Sequence, residues 1–306
     1  VLHLRLVVPR DCWEEVVDRL GEHPGVVHLA TDAGTSTKPD GLVVLCDVVR
    51  EAGNDVIEWL QDRDIHRRGA ITVVGVDTAI SDAAAAAEAK SPGEAADAMI
   101  WESVESRVRN DSALSVSYVV FMAAAAVIAG IGIMLDSAIL VIGAMVVGPD
   151  YGPLAGICVG VVRRRTKLLA SSAVTAVAGF AAAVVCTLAV MGLLRLLGIG
   201  PDSYDLTERE LTGFIAHPDA LALVVALIAG IIGMLAITEA RSGALIGVLV
   251  SVTTIPALGN AGLALAYGAW SEVGGALAQL AINVAGLTLA GSVTLAAQAH
   301  LTGSRS

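Results

Sequence analysis

From residue 113 to residue 300 the chain is almost continuously apolar. Such a stretch has few places to fold. Hydrocarbon offers no water to bond exposed amides, so only helices that satisfy their own backbone, or closed barrels, are stable in it. The runs are Ala, Val, Leu, Ile and Gly without alternation, which predicts helices, each near the roughly 20 residues a bilayer requires. Hydropathy divides the stretch into six spans, at residues 114–135, 138–162, 168–198, 219–238, 243–268 and 273–299. Over all 306 residues the chain is 16% charged, against about a quarter for soluble domains. The net charge of -11 lies mostly before residue 113, which argues against nucleic acid as a partner.

Basic residues orient the spans. Arg107 and Arg109 precede the first span, Arg163-Arg164-Arg165-Thr166-Lys167 joins the second to the third, Arg241 joins the fourth to the fifth, and Arg305 follows the sixth. The opposite connections carry Asp202, Asp205, Glu208, Glu210 and Glu272, with Arg209 the main exception. Both ends are therefore expected in the cytoplasm. Val1 to Val8 is too short and too polar for a signal peptide, which agrees.

The second span is interrupted. Gly148-Pro149-Asp150-Tyr151-Gly152-Pro153 places two prolines and an aspartate inside apolar sequence. Proline removes a backbone donor and biases the preceding residue away from helix. At membrane depth such a break survives only where it is buried in protein or lines a wet cavity. A weak repeat surrounds it: Ala129-Gly130-Ile131-Gly132-Ile133-Met134-Leu135 recurs as Ala229-Gly230-Ile231-Ile232-Gly233-Met234-Leu235. A second interruption, Ser251-Val252-Thr253-Thr254-Ile255-Pro256, follows in the matching place. A three-helix unit is odd, so successive copies enter the membrane with opposite orientation. Inverted repeats with matched broken helices point to a transporter's midplane site.

Residues 1–80 read as a soluble α+β domain. Leu2, Leu4 and Leu6 alternate with His3 and Arg5 as a strand. Asp11 and Glu14 are placed to form a capping box for a helix carrying Val16, Val17 and Leu20. Residues 26–29, 42–48 and 71–76 read as strands, and 54–63 as a helix. The order β-α-β-β-α-β is ferredoxin-like. His3, His23, His28 and His66 show no common face, and Arg67-Arg68 reads as a solvated turn. The four cysteines have neither metal-ligand nor disulfide-framework spacing. Residues 81–112 form a connector, whose helix over 94–108 carries Met99, Ile100, Val104 and Val108 on one side, with Trp101 as a candidate interfacial anchor.

Val141 to Gly156 resembles the signature of a bacterial family of membrane proteins, domain of unknown function 389 (the "uncharacterised hydrophobic domain" proteins). Val1-Leu2-His3-Leu4-Arg5, Asp97-Ala98-Met99-Ile100-Trp101-Glu102, Leu135-Asp136-Ser137 and Gly143-Ala144-Met145-Val146-Val147-Gly148-Pro149 extend the likeness over nearly the whole chain. It is similar to the branch with an amino-terminal ferredoxin-like domain. Many members have serine before the first proline and apolar residues after it; here Gly148 and Asp150-Tyr151 stand there, so a mechanism resting on that serine does not transfer. The second repeat of many members has paired prolines, of which only Pro256 is present. The resemblance implies a bacterial inner-membrane protein and names no activity.

Asp150 is the sharpest candidate. A charged acid at the centre of a membrane helix costs about 3 kcal/mol on insertion and marks a functional site by default. The candidate ion- or solute-binding set is Asp150 with Pro149, Tyr151 and Pro153 in the first break and Thr253, Thr254 and Asn260 in the second. Oxygen ligands of this kind suit a proton, sodium or a small polar solute. The alternative role for Asp150 is a shallow cap on the following half-helix. Asp136-Ser137 reads as a structural cap, and Gln279 with Asn283 as a helix-to-helix hydrogen-bonding pair. The expected protein is a homo-oligomeric transporter or channel in the lipid bilayer, without cofactor, metal or catalytic residues. The second class is a membrane-anchored sensor whose soluble domain binds a small ligand or protein.

Overall fold

A computed structural model of the chain describes residues 1–31, 34–76, 81–90, 100–201, 211–216, 219–239, 247–248 and 253–303. Two compact units result, one built on Val1–Val104 and one on Glu105–His300. Of the residues singled out above, Met99, Asp202, Asp205, Glu208, Arg209, Glu210, Arg241, Ser251, Val252 and Arg305 lie outside the described set.

The first unit runs β1 (Leu2–Val8), α1 (Trp13–Glu22), β2 (Val26–Ala30), β3 (Thr35–Thr37), β4 (Asp40–Val48), α2 (Arg50–Asp62), α3 (Ile65–Arg68) and β5 (Ala70–Gly75). Its antiparallel sheet has the order β2-β4-β1-β5, with β3 also paired to β4. Leu2, Leu4 and Leu6 meet Val44, Cys46 and Val48, and α1 and α2 close the core with Val16, Leu20, Val56, Ile57 and Leu60. Each such side chain contributes about 1.5–3 kcal/mol by leaving water.

Three local expectations are corrected. Asp11 caps nothing: Cys12 stands at the N-cap of α1, and the Asp11 carboxylate instead accepts two hydrogen bonds from Arg68, at 2.7 and 2.6 Å. That pair lies on the surface, and Arg67 pairs with Asp64 at 3.2 Å, so both arginines stay solvated as expected. Strand β3 occupies what reads as loop, because Thr35–Thr37 pairs back onto Asp40–Leu42 as a hairpin arm. Helix α2 begins at Arg50, ahead of Asn54, with the apolar Val49 at its N-cap and so no polar signal of the start.

After α4 (Asp82–Lys90) comes α5 (Trp101–Asp111), within which the two units divide. Ile100, Val104 and Val108 are buried, as the amphipathic stripe requires. The backbone N–H of Trp101 donates to Asn54 Oδ1 at 3.3 Å, so the Trp101 backbone is tied to α2.

The second unit contains α6 (Val116–Met134), α7 (Ala138–Val147), α8 (Tyr151–Val162), α9 (Thr166–Leu196), α10 (Ala220–Thr238), α11 (Thr254–Tyr267) and α12 (Trp270–Gly303). Helices α6, α9, α10 and α12 are long and apolar enough to cross a membrane, and α7 with α8 forms a further path bent by 51°. The expectation of six spans meets these five. Its remaining member, 243–268, is described chiefly as the 14-residue α11, too short to cross alone.

Contacts inside this unit define two ends. At one, Glu105 accepts from Arg163 and Arg165, Arg107 donates to the Ile237 carbonyl, and Gln298 donates to Thr238. At the other, the Asp136 carboxylate accepts from the Leu211 and Thr212 amides and the Thr212 hydroxyl. Arg195 there donates to the Ala266 carbonyl at 2.8 Å and lies over the Tyr267 ring. Ser137 is the N-cap of α7, its hydroxyl accepting from Leu140 N, so the pair Asp136-Ser137 is structural as expected.

Candidate functional site

The break is shorter than its two prolines imply. Gly148 N still donates to Ala144 O at 3.2 Å, Pro149 interrupts the ladder, and α8 resumes at Tyr151. Pro153 is the third residue of α8, where an amide has no intrahelical acceptor, so it costs the helix nothing. Pro256 stands at the same third position of α11, after Thr253 at the N-cap. The two half-helices thus begin alike.

They also begin side by side. A Cβ on Gly148 would run into Ile255 in the first turn of α11, with Ala125 of α6 just beyond. Asp150 is 6% exposed and lies next to Thr254, whose hydroxyl nevertheless makes no hydrogen bond of ordinary geometry. Tyr118, in the first turn of α6, is near enough to interact with the Asp150 charge. Its hydroxyl is buried without a hydrogen-bond partner, seated over Gly179 of α9, where a methyl would come within 2.5 Å of it. No cationic side chain of the described residues acts on Asp150.

Asp150 has helical torsions (φ -70°, ψ -23°) and makes no side-chain cap bond. The capping role is therefore not the one it plays. A carboxylate at that position is held by burial among α6, α8 and α11, in the field of the half-helix N-terminus.

The remaining candidates separate into two groups. Thr253 accepts from Gln279 Nε2 and Asn283 Nδ2, each at 2.9 Å, and Gln279 donates to Asn283 Oδ1 at 3.3 Å. The helix-to-helix role expected of Gln279 and Asn283 is met, with α11 as the partner. Asn260 is fully buried deeper along α11. Tyr151 faces the other way: its hydroxyl lies against Gly233 of α10, buried and without a hydrogen-bond partner. Pro149 and Pro153 shape the backbone and offer no donor. Tyr118 was not legible as part of this set; the glycine across from it, Gly179, lies far along the chain and carries no mark of its role.

The first unit holds a second cluster that contradicts the absence of a common face among the histidines. His3, Asp47 and His28 are cross-strand neighbours on β1, β4 and β2. His3 Nδ1 and His28 Nδ1 donate to the two Asp47 oxygens at 2.7 and 2.9 Å, and Ser81 Oγ lies 3.1 Å from His28 Nε2. Partial burial works against the Asp47 charge, but the two imidazoles outweigh it and hold its carboxyl below the ordinary value. The rung is invisible in sequence because strand pairing, not spacing, brings it together.

A buried acid at a helix break, inside a bundle of apolar helices, with a separate antiparallel-sheet unit in the same chain, fits an α-helical membrane protein. Residues 145–289 match the family described as "Domain of unknown function (DUF389)", so that stretch is similar to that family. The matched stretch starts near the end of α7, takes in the break and Asp150, and closes within α12. No curated protein and no solved structure matches the chain.

Proposed function

We propose that the protein is a transporter or channel for a small solute or ion in a bacterial inner membrane, with Asp150 holding the transported or coupling cation or proton. The observation that carries this reading is a buried carboxylate, free of any cationic neighbour among the described residues, at the point where two half-helices begin beside the unspent hydroxyl of Thr254, with Tyr118 within reach of its charge. Burying an acid without a countercharge is expensive, so a site built around one is built to receive positive charge. Thr253, Thr254 and Asn260 supply the opposite wall.

The contacts at the two ends of the helical unit support six crossings. Residues 105–107, 163–165, 237–238 and 298 gather at one end, and residues 136, 195, 211–212 and 266–267 at the other. Thr238 and Ala266, at opposite ends, favour a path between them that crosses. The basic connections share the first end, which fits cytoplasmic termini. The matched prolines of α8 and α11 support two inverted three-helix units that rock about the breaks. Faces of small residues suit assembly with further copies of the chain.

The test is flux in proteoliposomes under proton and sodium gradients, wild type beside Asp150→Asn. Loss of at least about 90% of the flux is expected, since intramembrane acids on ion paths seldom tolerate neutralisation. Flux unchanged by the substitution overturns the site.

One observation favours a sensor as the second reading: the His3–Asp47–His28 rung with Ser81 is a polar cluster on the sheet. Its signature is ligand-dependent protection of β1, β2 and β4 amides in the full chain, with no flux through the helices.

A further inference from the structure

The stretch Glu105–Ser112 touches more of the helical unit than a connector needs to. The Glu105 carboxylate, 13% exposed, accepts from Arg163 Nε and Arg165 Nε, each at 3.3 Å, in the turn between α8 and α9. Arg107 Nη1 donates to the Ile237 carbonyl at the end of α10, at 3.3 Å. Val108 is fully buried. The Asp111 backbone then packs on Gly152, two residues beyond Asp150, so closely that any Cβ there would strike its carbonyl. Ser112, 3% exposed, sits against Gly156 one turn further on, with Ser172 of α9 on the other flank.

Eight residues thus hold the turn after α8, the end of α10 and the first turn of α8 behind the candidate ion site. These belong to both halves of the helical unit. A segment fastened to both halves resists their relative movement, and a segment seated on Gly152 covers Asp150 from that side. The fastening is uneven. Its apolar and backbone contacts are close-packed, but its ionic anchor among the described residues is a glutamate shared by two arginines, the kind of anchor that a change of partner or charge undoes.

We propose that Glu105–Ser112 is a strap that closes the Asp150 site from the Arg163 end of the unit, and that its release, through the Glu105 anchor, opens that end. The regulatory consequence rests on the transport reading above; the strap itself does not. Movement of the residues that lead into α5 would then reach the site through this segment, with no ligand in the helical unit required.

The experiment follows the cover directly. The thiol introduced by Ser112→Cys is reacted in the full-length protein, in proteoliposomes, with a membrane-impermeant maleimide, and modification at position 112 is read by peptide mass spectrometry. Against that background Glu105→Gln is expected to raise the labelling rate about tenfold, the factor that losing one charge-assisted hydrogen bond carries. Arg163→Gln with Arg165→Gln, which removes the anchor from the other side, is expected to do the same. A labelling rate unchanged in both variants, each confirmed folded by its melting curve, overturns the strap whatever the flux does. In the same vesicles, Asp150-dependent flux is expected to rise in Glu105→Gln. A strap that labels as expected but leaves flux unaltered would overturn only the regulatory step, and flux insensitive to Asp150→Asn only the site.

Discussion

Asp47 and Cys46 are neighbours on β4 whose side chains point to opposite faces of one sheet, and their chemistries diverge accordingly. Asp47 accepts from two imidazoles. Replacing it by Asn leaves one imidazole without a good acceptor, at an expected cost of about 1 kcal/mol after allowance for solvent screening. Its carboxyl titrates below the ordinary value in the folded chain. The stabilisation is therefore complete above the unfolded value near pH 4 and fades as pH falls through the folded one. Hydrogen exchange of the β4 amides should show wild type better protected than Asp47→Asn at neutral pH, the gap closing only in acid. Cys46 is pushed up to about 12 by burial, with the Asp47 charge adding to it. A thiol held so far from ionisation is a poor nucleophile. In folded protein Cys46 should stay unmodified by iodoacetamide at neutral pH while the only partly buried Cys12 reacts; equal rates would mean that the sheet opens.

At the scale of elements, glycine decides where helices can touch. A Cβ on Gly259 of α11 would lie 2.7 Å from the Ala126 carbonyl oxygen and 2.9 Å from Gly130 N, backbone against backbone with nothing to yield. Gly259→Ala is therefore expected to cost about 1–3 kcal/mol. Gly143 of α7 meets nothing within 4 Å. Gly143→Ala should be neutral or mildly stabilising, by up to about 1 kcal/mol from helix propensity. Melting of the two variants in one detergent checks both, and a Gly259→Ala melt that matches wild type would show the α6–α11 seam to be looser than drawn. The contrast explains what the sequence could and could not disclose. Apolar length located α6, α9, α10 and α12, and strand alternation located β1, since each depends on local pattern alone. Asp150 stood out because an acid and a proline in apolar sequence have few bland explanations. Which glycine bears a neighbouring helix, which tyrosine lies within reach of the Asp150 charge, and which aspartate gathers two histidines all depend on partners distant in sequence. Pro153 misled for the opposite reason: its effect depends on where the helix restarts, and that is set by the packing of α8.

At the scale of the molecule the question is whether the chain between Thr238 and Trp270 crosses. The ends of this segment lie at opposite ends of the helical unit: Thr238 with Gln298 and the Arg107 anchor, Tyr267 with Arg195. Helix α11 alone, 14 residues, spans about 21 Å, short of the roughly 30 Å of hydrocarbon. A complete crossing must then include residues ahead of Thr253, as the break in the first half uses α7 ahead of α8. An odd number of spans per half is also what inverts the second half relative to the first, so the count decides whether the half-helix N-termini of α8 and α11 approach the Asp150 site from opposite sides. Cysteine substitutions at Lys167, Leu211 and Trp270, all exposed, report it with an impermeant maleimide applied to sealed vesicles of known orientation. Lys167→Cys should label from one side, and Leu211→Cys and Trp270→Cys from the other. If Trp270→Cys labels from the Lys167 side, the segment turns back without crossing, and the two halves are not inverted copies. Thr253 and Thr254 would then reach Asp150 from a re-entrant arm, and an access route that alternates between two symmetric halves would have no structural basis in this chain.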